Sequence, residues 1–391
     1  MHWINNDLER VSACLAIRRV IGQCNYEVLA KLVEAIHEEF DITAKITATV
    51  TDSGSNVVKA FRLFATPFCH ATSSNILSSQ LEDPIDGETQ KKQEIRDMED
   101  QAIENFLKIT TILDKRVFDV IYSLPPQRRS ASHTLNLIAT KDVYKQIDAS
   151  LKNLKESTES KIKQIWNKQG RSTKASDEIV KKLNGLFVIH NETRWNSFFD
   201  AVDRFRIFIN TRKSDLKDVF THFNVPYFRP AEEDYIREYV KIMRPLTEAL
   251  DVLQADKKVL IGYLLPTLTI LMNKMESLRR KTGIVNCKAF ISSIISALNV
   301  RFAHCFNEED LCLAAMVHPK FKLSCIKKGE RTAMLEKLNL SFETFSTDST
   351  TSSCRRVVSE DSDASPNKKN NFFSHFIGHL PSHQRLNLIS F

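Results

Sequence analysis

Hydrophobic positions along this chain follow two rhythms. Near the start they alternate. Residues 11–21, VSACLAIRRVI, carry β-branched side chains in loose alternation, and residues 45–51 place Ile46, Ala48 and Val50 on one side. Both stretches predict partly buried strands, and residues 1–4 read as the tail of another strand, cut short. Between them, residues 26–40 repeat every three to four positions, with Val28, Leu29, Leu32, Val33, Ile36 and Phe40 on one face. That spacing predicts an amphipathic helix. A second helix follows Asp52-Ser53-Gly54-Ser55-Asn56, with Val57, Val58, Phe61 and Phe64 inward and Ser53 or Ser55 as its cap.

The helical rhythm then takes over. Residues 101–122 have helical period until Leu124-Pro125-Pro126-Gln127 breaks it, and residues 128–138 read as a short strand or turn before a helix. Residues 141–174 are basic and helical in period, ending in a loop at 170–176, and residues 186–189 form a short apolar run. Beyond Trp195 helices are expected almost throughout: one with Phe198, Phe199, Val202 and Phe205 on a face, then 235–253, 260–278, 287–306 and 311–317. Pro245 marks a kink or boundary within its helix.

These patterns divide the chain into an α/β part at 1–80, an acidic polar loop at 81–104, a continuation with helices at 105–193 and a helical domain at 194–340. A Ser/Thr-rich stretch at 341–371 is expected to be a disordered linker. Residues 372–391 are a weakly apolar tail with Phe372, Phe373, Phe376 and Ile377.

Composition narrows the class. Of 391 residues, 42% are hydrophobic and 26% charged, which excludes a fully disordered or collagenous chain. Only 9 Gly and 11 Pro argue against a turn-rich all-β fold. No stretch reads as the roughly 20 apolar residues that cross a bilayer, so no membrane association is expected. The 55 basic and 48 acidic residues leave a net charge of +7, a balance compatible with a nucleic-acid surface. None of the 8 cysteines falls in a Cys-x-x-Cys pair, so a zinc ribbon or finger has no support. With no leader at the start, reduced thiols inside the cell are expected. Phosphate-binding Gly-rich loops, GxSxG and HExxH are all missing.

Three features carry chemistry. Asp52 closes a strand, where a carboxylate either holds a ligand or metal, or merely starts the next helix. His133 opens a helix, a position where a hydrogen-bonded structural histidine is the commoner role. Arg194-Trp195 precedes the helical region, and an indole there either joins a core or stacks on a base. Arg128 and Arg129 read equally as a phosphate contact or a solvated pair.

In this order the chain resembles the hAT-superfamily DNA transposases. Residues 51–61, TDSGSNVVKAF, look like the second acidic motif of that family. Ser132-His133-Thr134-Leu135-Asn136-Leu137 resembles its Cys-x-x-His-x-Leu-Asn-Leu element, with Ser130 or Ser132 where the family has Cys. Thr193-Arg194-Trp195-Asn196-Ser197 is similar to its Thr-Arg-Trp-Asn-Ser element. Residues 262–268, GYLLPTL, and 315–323, AMVHPKFKL, look like its helical region.

The resemblance implies an α/β fold: an incomplete ribonuclease H-like core with a large all-α insertion, helix-dominated overall. It implies a parent chemistry of DNA cutting by two Mg²⁺ or Mn²⁺ ions, held by three carboxylates of which Asp52 matches the second. Arg194 and Trp195 would handle the DNA flank, with stacking worth about 1–3 kcal/mol per base. His133 would sit near the site, as a structural or DNA-contacting residue. The family's first carboxylate lies on a strand ahead of His2, and its third lies past the helical insertion; neither is recognisable here, nor are the BED zinc finger and the dimerisation segment. One carboxylate of three cannot hold two metals. The expectation is therefore a transposon-derived, catalytically inactive nuclear protein that needs no cofactor as it stands. It binds DNA weakly and without sequence preference, its oligomeric state is open, and residues 1–80 are marginally stable because a sheet edge is exposed. Two alternatives remain: a protein-interaction module using the helical region, and a fragment of an active transposase.

Overall fold

A computed structural model of the chain describes residues 1–5, 10–52, 54–65, 122–190, 195–255 and 260–348. The expected acidic loop, nearly all of the expected helix at 101–122, Arg194, and everything past 348 lie outside the described residues. Helices dominate, and the chain divides into two compact units, Met1–Thr134 and Leu135–Phe391.

The first unit contains two short strand pairs. β1 (His2–Ile4) runs antiparallel to β2 (Arg10–Ser12), with Trp3 opposite Val11. The strand expected over 11–21 stops at Ser12, because β1 offers only three residues to pair with. Beyond it Ile17 and Ile21 are 87% and 86% exposed. β3 (Thr49–Thr51) lies parallel to β4 (Gln127–Arg129), with Thr51 opposite Arg129. It too is shorter than its alternation predicted: its partner spans three residues, and Thr43–Lys45 is a 3-10 turn.

α1 (Tyr26–Glu39) and α2 (Ser55–Phe64) form as the period requires. Asn25 caps α1, its Oδ1 accepting from the Val28 amide at 2.9 Å. The buried stripe of α1 differs from the expected face. Tyr26, Ala30 and Val33 face α2, while Phe40 just past its end is 41% exposed. The core they share is small: Ala30, Ala60, Phe61 and Leu124 are buried, with Tyr26, Val57, Phe64 and Tyr122 around them.

The division falls inside α3 (Ala131–Thr140). In the second unit follow α4 (Ala149–Arg171), α5 (Thr173–Leu183), α6 (Trp195–Thr211), α7 (Lys213–His222) and α8 (Pro230–Gln254). Then come α9 (Leu264–Arg280), α10 (Lys288–Phe302), α11 (Glu309–Val317) and α12 (Arg331–Asp348). The loop expected at 170–176 is one residue. Ser172 ends α4 and caps α5, its Oγ accepting from the Ala175 amide at 3.3 Å. α12 continues to Asp348, past the point at 341 where the sequence suggested a linker.

Pro245 neither ends nor divides α8. An interior proline costs about 3 kcal/mol. Ile236, Tyr239, Val240, Ile242, Met243, Leu246 and Leu250 are all buried along the same helix, and each contributes about 1.5–3 kcal/mol on burial. Packing outweighs the lost hydrogen bond.

Residues 288–307 correct the expectation about membranes at the level of composition. They are long and apolar enough to cross one, with a mean hydropathy of 1.3. Half of that window is buried, with Phe290, Ile291, Ile294, Leu298 and Phe302 in the core of the unit. Arg301 on the same helix forms a fork with Asp142, at 2.6 Å and 3.2 Å. A core helix packed on several sides carries apolar residues all round.

Candidate functional site

β3 and β4 end side by side, and each runs into a helix. The Thr51 carbonyl accepts from the Ser130 amide at 2.7 Å, which brings the turn holding Asp52 next to the turn holding Ser130. At the first turn, Asp52 Oδ1 accepts from the Gly54 amide at 3.1 Å. Of the two caps expected, Ser53 lies outside the described residues and Ser55 is the first residue of α2 itself. Gly54 occupies the cap position and α2 has no side-chain cap bond. A Cβ on Gly54 would sit 3.2 Å from Asp52 Oδ1, so the small residue leaves room for the carboxylate to fold over the turn. At the second turn, Ser130 Oγ accepts from the His133 amide at 3.2 Å, and Thr134 Oγ1 donates to the Ser130 carbonyl at 2.9 Å. Ser130 is therefore the N-cap of α3.

The sequence-predicted residues take these places. Asp52 is exposed at the carboxyl end of β3. Arg128 is half-buried and Arg129 exposed at the end of β4, their side chains on opposite faces of the strand. His133 is half-buried in the first turn of α3. Asp52 and the β4 arginines are thus brought to one end of one strand pair. Thr51 tightens this end: its Oγ1 accepts from Gln127 Nε2 at 2.5 Å. Among the described residues Asp52 belongs to no group of three side chains spaced to share a metal ion.

The Thr-Arg-Trp-Asn-Ser element lies in the other unit. Trp195 heads α6, as its position predicted. The polar residues after it hold structure. Asn196 Nδ2 donates to Asp251 Oδ1 on α8 at 2.8 Å, and Ser197 Oγ lies 3.0 Å from His190 Nδ1. His190 lies three residues past Phe187, whose backbone Gln169 anchors. The Gln169 amide exchanges two hydrogen bonds with the Phe187 backbone, at 2.9 Å and 3.0 Å, as a neighbouring strand would. Phe187 then stacks on Phe205 with centroids 4.4 Å apart.

The last two segments singled out in the sequence meet each other. A Cβ on Gly262 would lie 2.4 Å from the Ala314 carbonyl oxygen, so only glycine lets the 3-10 turn Ile261–Tyr263 cross α11 this closely. The Tyr263 ring meets His318 and Phe321 edge-on, at 4.8 Å and 5.0 Å, and those two stack at 4.6 Å. Burial and the nearby Lys320 ammonium hold the His318 imidazole below its ordinary value, favouring the neutral ring.

One constellation is not foreshadowed by the motifs of the sequence. His304, Cys305 and Glu308 present an imidazole nitrogen, a thiol and a carboxylate oxygen within 4.8 Å of one another. It contains no pair of cysteines to mark it. The signal that would have found it is a mixed His-Cys-x-x-Glu spacing within about one helical turn.

Compared with known protein families, the chain matches no family model, and no curated protein matches it.

Proposed function

We propose that this chain is a transposon-derived, catalytically inactive nucleic-acid-binding protein similar to the hAT transposases. The observation that carries the reading is the pairing of its motif segments. The 51–61 segment and the His133 segment lie edge to edge through the Thr51–Ser130 hydrogen bond. The Gly262 and His318 segments close on each other through Tyr263. That segments resembling one family in order also meet in space supports the reading. The element order of the first unit agrees with a partial ribonuclease H-like core: an antiparallel pair, a helix and a parallel pair, in two separate two-stranded sheets.

The DNA-binding surface in this reading is the carboxyl end of β3 and β4, with Arg128 and Arg129 as phosphate contacts and His133 beside them. The N-termini of α2 and α3 emerge at the same end and add partial positive charge. Asp52 opposes a phosphate there, so binding is weak, non-specific and salt-dependent. The inactive reading rests on the sequence: of the three carboxylates the resemblance implies, only Asp52 is recognisable, and two-metal phosphoryl transfer needs several converging carboxylates. Arg194 and Trp195 act as a second DNA contact, and the protein works in the nucleus.

The test is fluorescence anisotropy of a labelled duplex titrated across salt concentrations. Affinity falls linearly on a log–log plot, and Arg128→Ala with Arg129→Ala lowers the slope by about one for each phosphate that is no longer neutralised. Affinity indifferent to salt rejects the reading. A second reading, a protein-interaction module, draws on α12, where Leu335, Leu340 and Phe342 are 41%, 61% and 58% exposed. Salt-insensitive DNA behaviour together with self-association or protein capture abolished by Phe342→Ser would favour it.

A further inference from the structure

The geometry points to a zinc site at His304, Cys305 and Glu308, separate from the strand ends proposed to meet DNA. The three residues sit where α10 gives way to the 3-10 turn Ala303–Asn307 and then to α11. His304 Nε2 lies 3.4 Å from Cys305 Sγ and 3.8 Å from Glu308 Oε1. Tetrahedral zinc with bonds of about 2.0–2.3 Å needs ligand atoms about 3.3–3.8 Å apart. Both of these edges fall in that range and the third pair of ligand atoms lies within 4.8 Å, so one ion is held after a small side-chain adjustment.

The donor chemistry selects the metal. An imidazole, a thiolate and a carboxylate suit borderline zinc; Mg²⁺ and Ca²⁺ require oxygen ligands. The backbone contributes to the fit. Glu308 occupies the N-cap position of α11 but makes no side-chain cap bond, and its carboxylate turns back to His304 instead. The Cys305 residue is 6% exposed, whereas the His304 side chain is 63% exposed, so the ion is seated on a buried thiol and reached from the solvent side. On binding, the Zn–S bond forms as the S–H bond breaks and the thiol gives its proton to the buffer. Three protein ligands leave the fourth position to water or to a donor from another molecule.

The experiment titrates the metal-free full-length chain with Co²⁺ as a spectroscopic stand-in, then displaces it with Zn²⁺. One equivalent gives a tetrahedral d–d spectrum and a thiolate-to-cobalt charge-transfer band, both abolished by zinc, with about one proton released per ion. His304→Ala, at an exposed position, weakens binding at least about tenfold; outer-shell partners alone account for about 10–100-fold, and this removes a direct ligand. Cys305→Ser removes the charge-transfer band, and Cys312→Ser leaves it in place. Because Cys305 is buried, His304→Ala keeps the test sound if the serine variant does not fold. Absence of stoichiometric binding, or binding unchanged in His304→Ala, overturns the site. Neither result bears on DNA affinity, which is measured separately.

Discussion

The two units are stabilised in different ways. The first rests on three-residue strands and a small core around Ala30, Ala60, Phe61 and Leu124. The second rests on long helices and a much larger apolar interior, within which buried charges are fully engaged. Glu232 is the clearest case. It accepts from Lys161 Nζ and Ser157 Oγ at 2.6 Å each and from its own cap, the Arg229 amide, at 2.7 Å. Glu238 similarly receives the amides of Val285, Asn286 and Cys287 at 2.9 Å each and fixes the approach to α10. The first unit has the turns of Asp52 and Ser130 on a thin scaffold, and the second has the larger apolar interior.

The largest predicted effect breaks the thinner side. Phe61→Ala costs about 3–5 kcal/mol, comparable with all that a core this small can contribute. Hydrogen exchange should show protection lost across 26–64 and retained in α8. Loss of protection in both together would mean that the two do not melt separately. Limited proteolysis of the wild type should likewise cut residues 1–65 before the helical part.

Next comes Glu232→Ala, which strands Lys161 and costs about 3 kcal/mol or more, read as a fall in the melting midpoint of the second unit. The same carboxylate sets an acid dependence. Burial alone would raise its pKa, but the bonds from Lys161, Ser157 and Arg229 outweigh it and hold the group at about 2, against an ordinary 4.5. The stabilisation, about 3 kcal/mol, is present above pH 4.5 and is lost as pH falls toward 2. Glu232→Gln flattens that part of the stability–pH curve; an unchanged curve would place the acid sensitivity elsewhere.

Smaller effects concern the strand ends. Ser130→Ala removes the cap of α3 and costs about 1 kcal/mol. Asp52→Asn keeps the acceptor for Gly54 and changes stability by less than about 0.5 kcal/mol. It should nevertheless tighten duplex DNA binding a few-fold, because it removes a negative charge beside Arg128 and Arg129. Weaker binding by this variant would show that the carboxylate assists, rather than opposes, the DNA.

Helices were legible where apolar spacing was long and regular, as in α1, α2 and α8. Strand lengths were not, because pairing depends on the partner: residues 45–51 alternate throughout, yet β4 offers only three residues to match. The proline at 245 misleads because its local cost is overridden by packing that becomes visible only in three dimensions. At the candidate site the turn of Asp52 was partly readable, whereas the cap by Ser130 was missed although it lies within three residues of the His133 amide it engages. The hydrogen bond joining those two turns links Thr51 to Ser130, too far apart for any local pattern to reveal. The His304 cluster is local and still escapes notice, because its ligand types are mixed.

Catalytic inertness is tested most directly by incubating the purified chain with supercoiled plasmid and Mn²⁺ and following conversion to nicked and linear forms. An inert chain gives no conversion above the protein-free control, for the wild type and for Asp52→Asn alike. Nicking by the wild type that disappears in Asp52→Asn would contradict inertness, and would make Asp52 a working metal ligand.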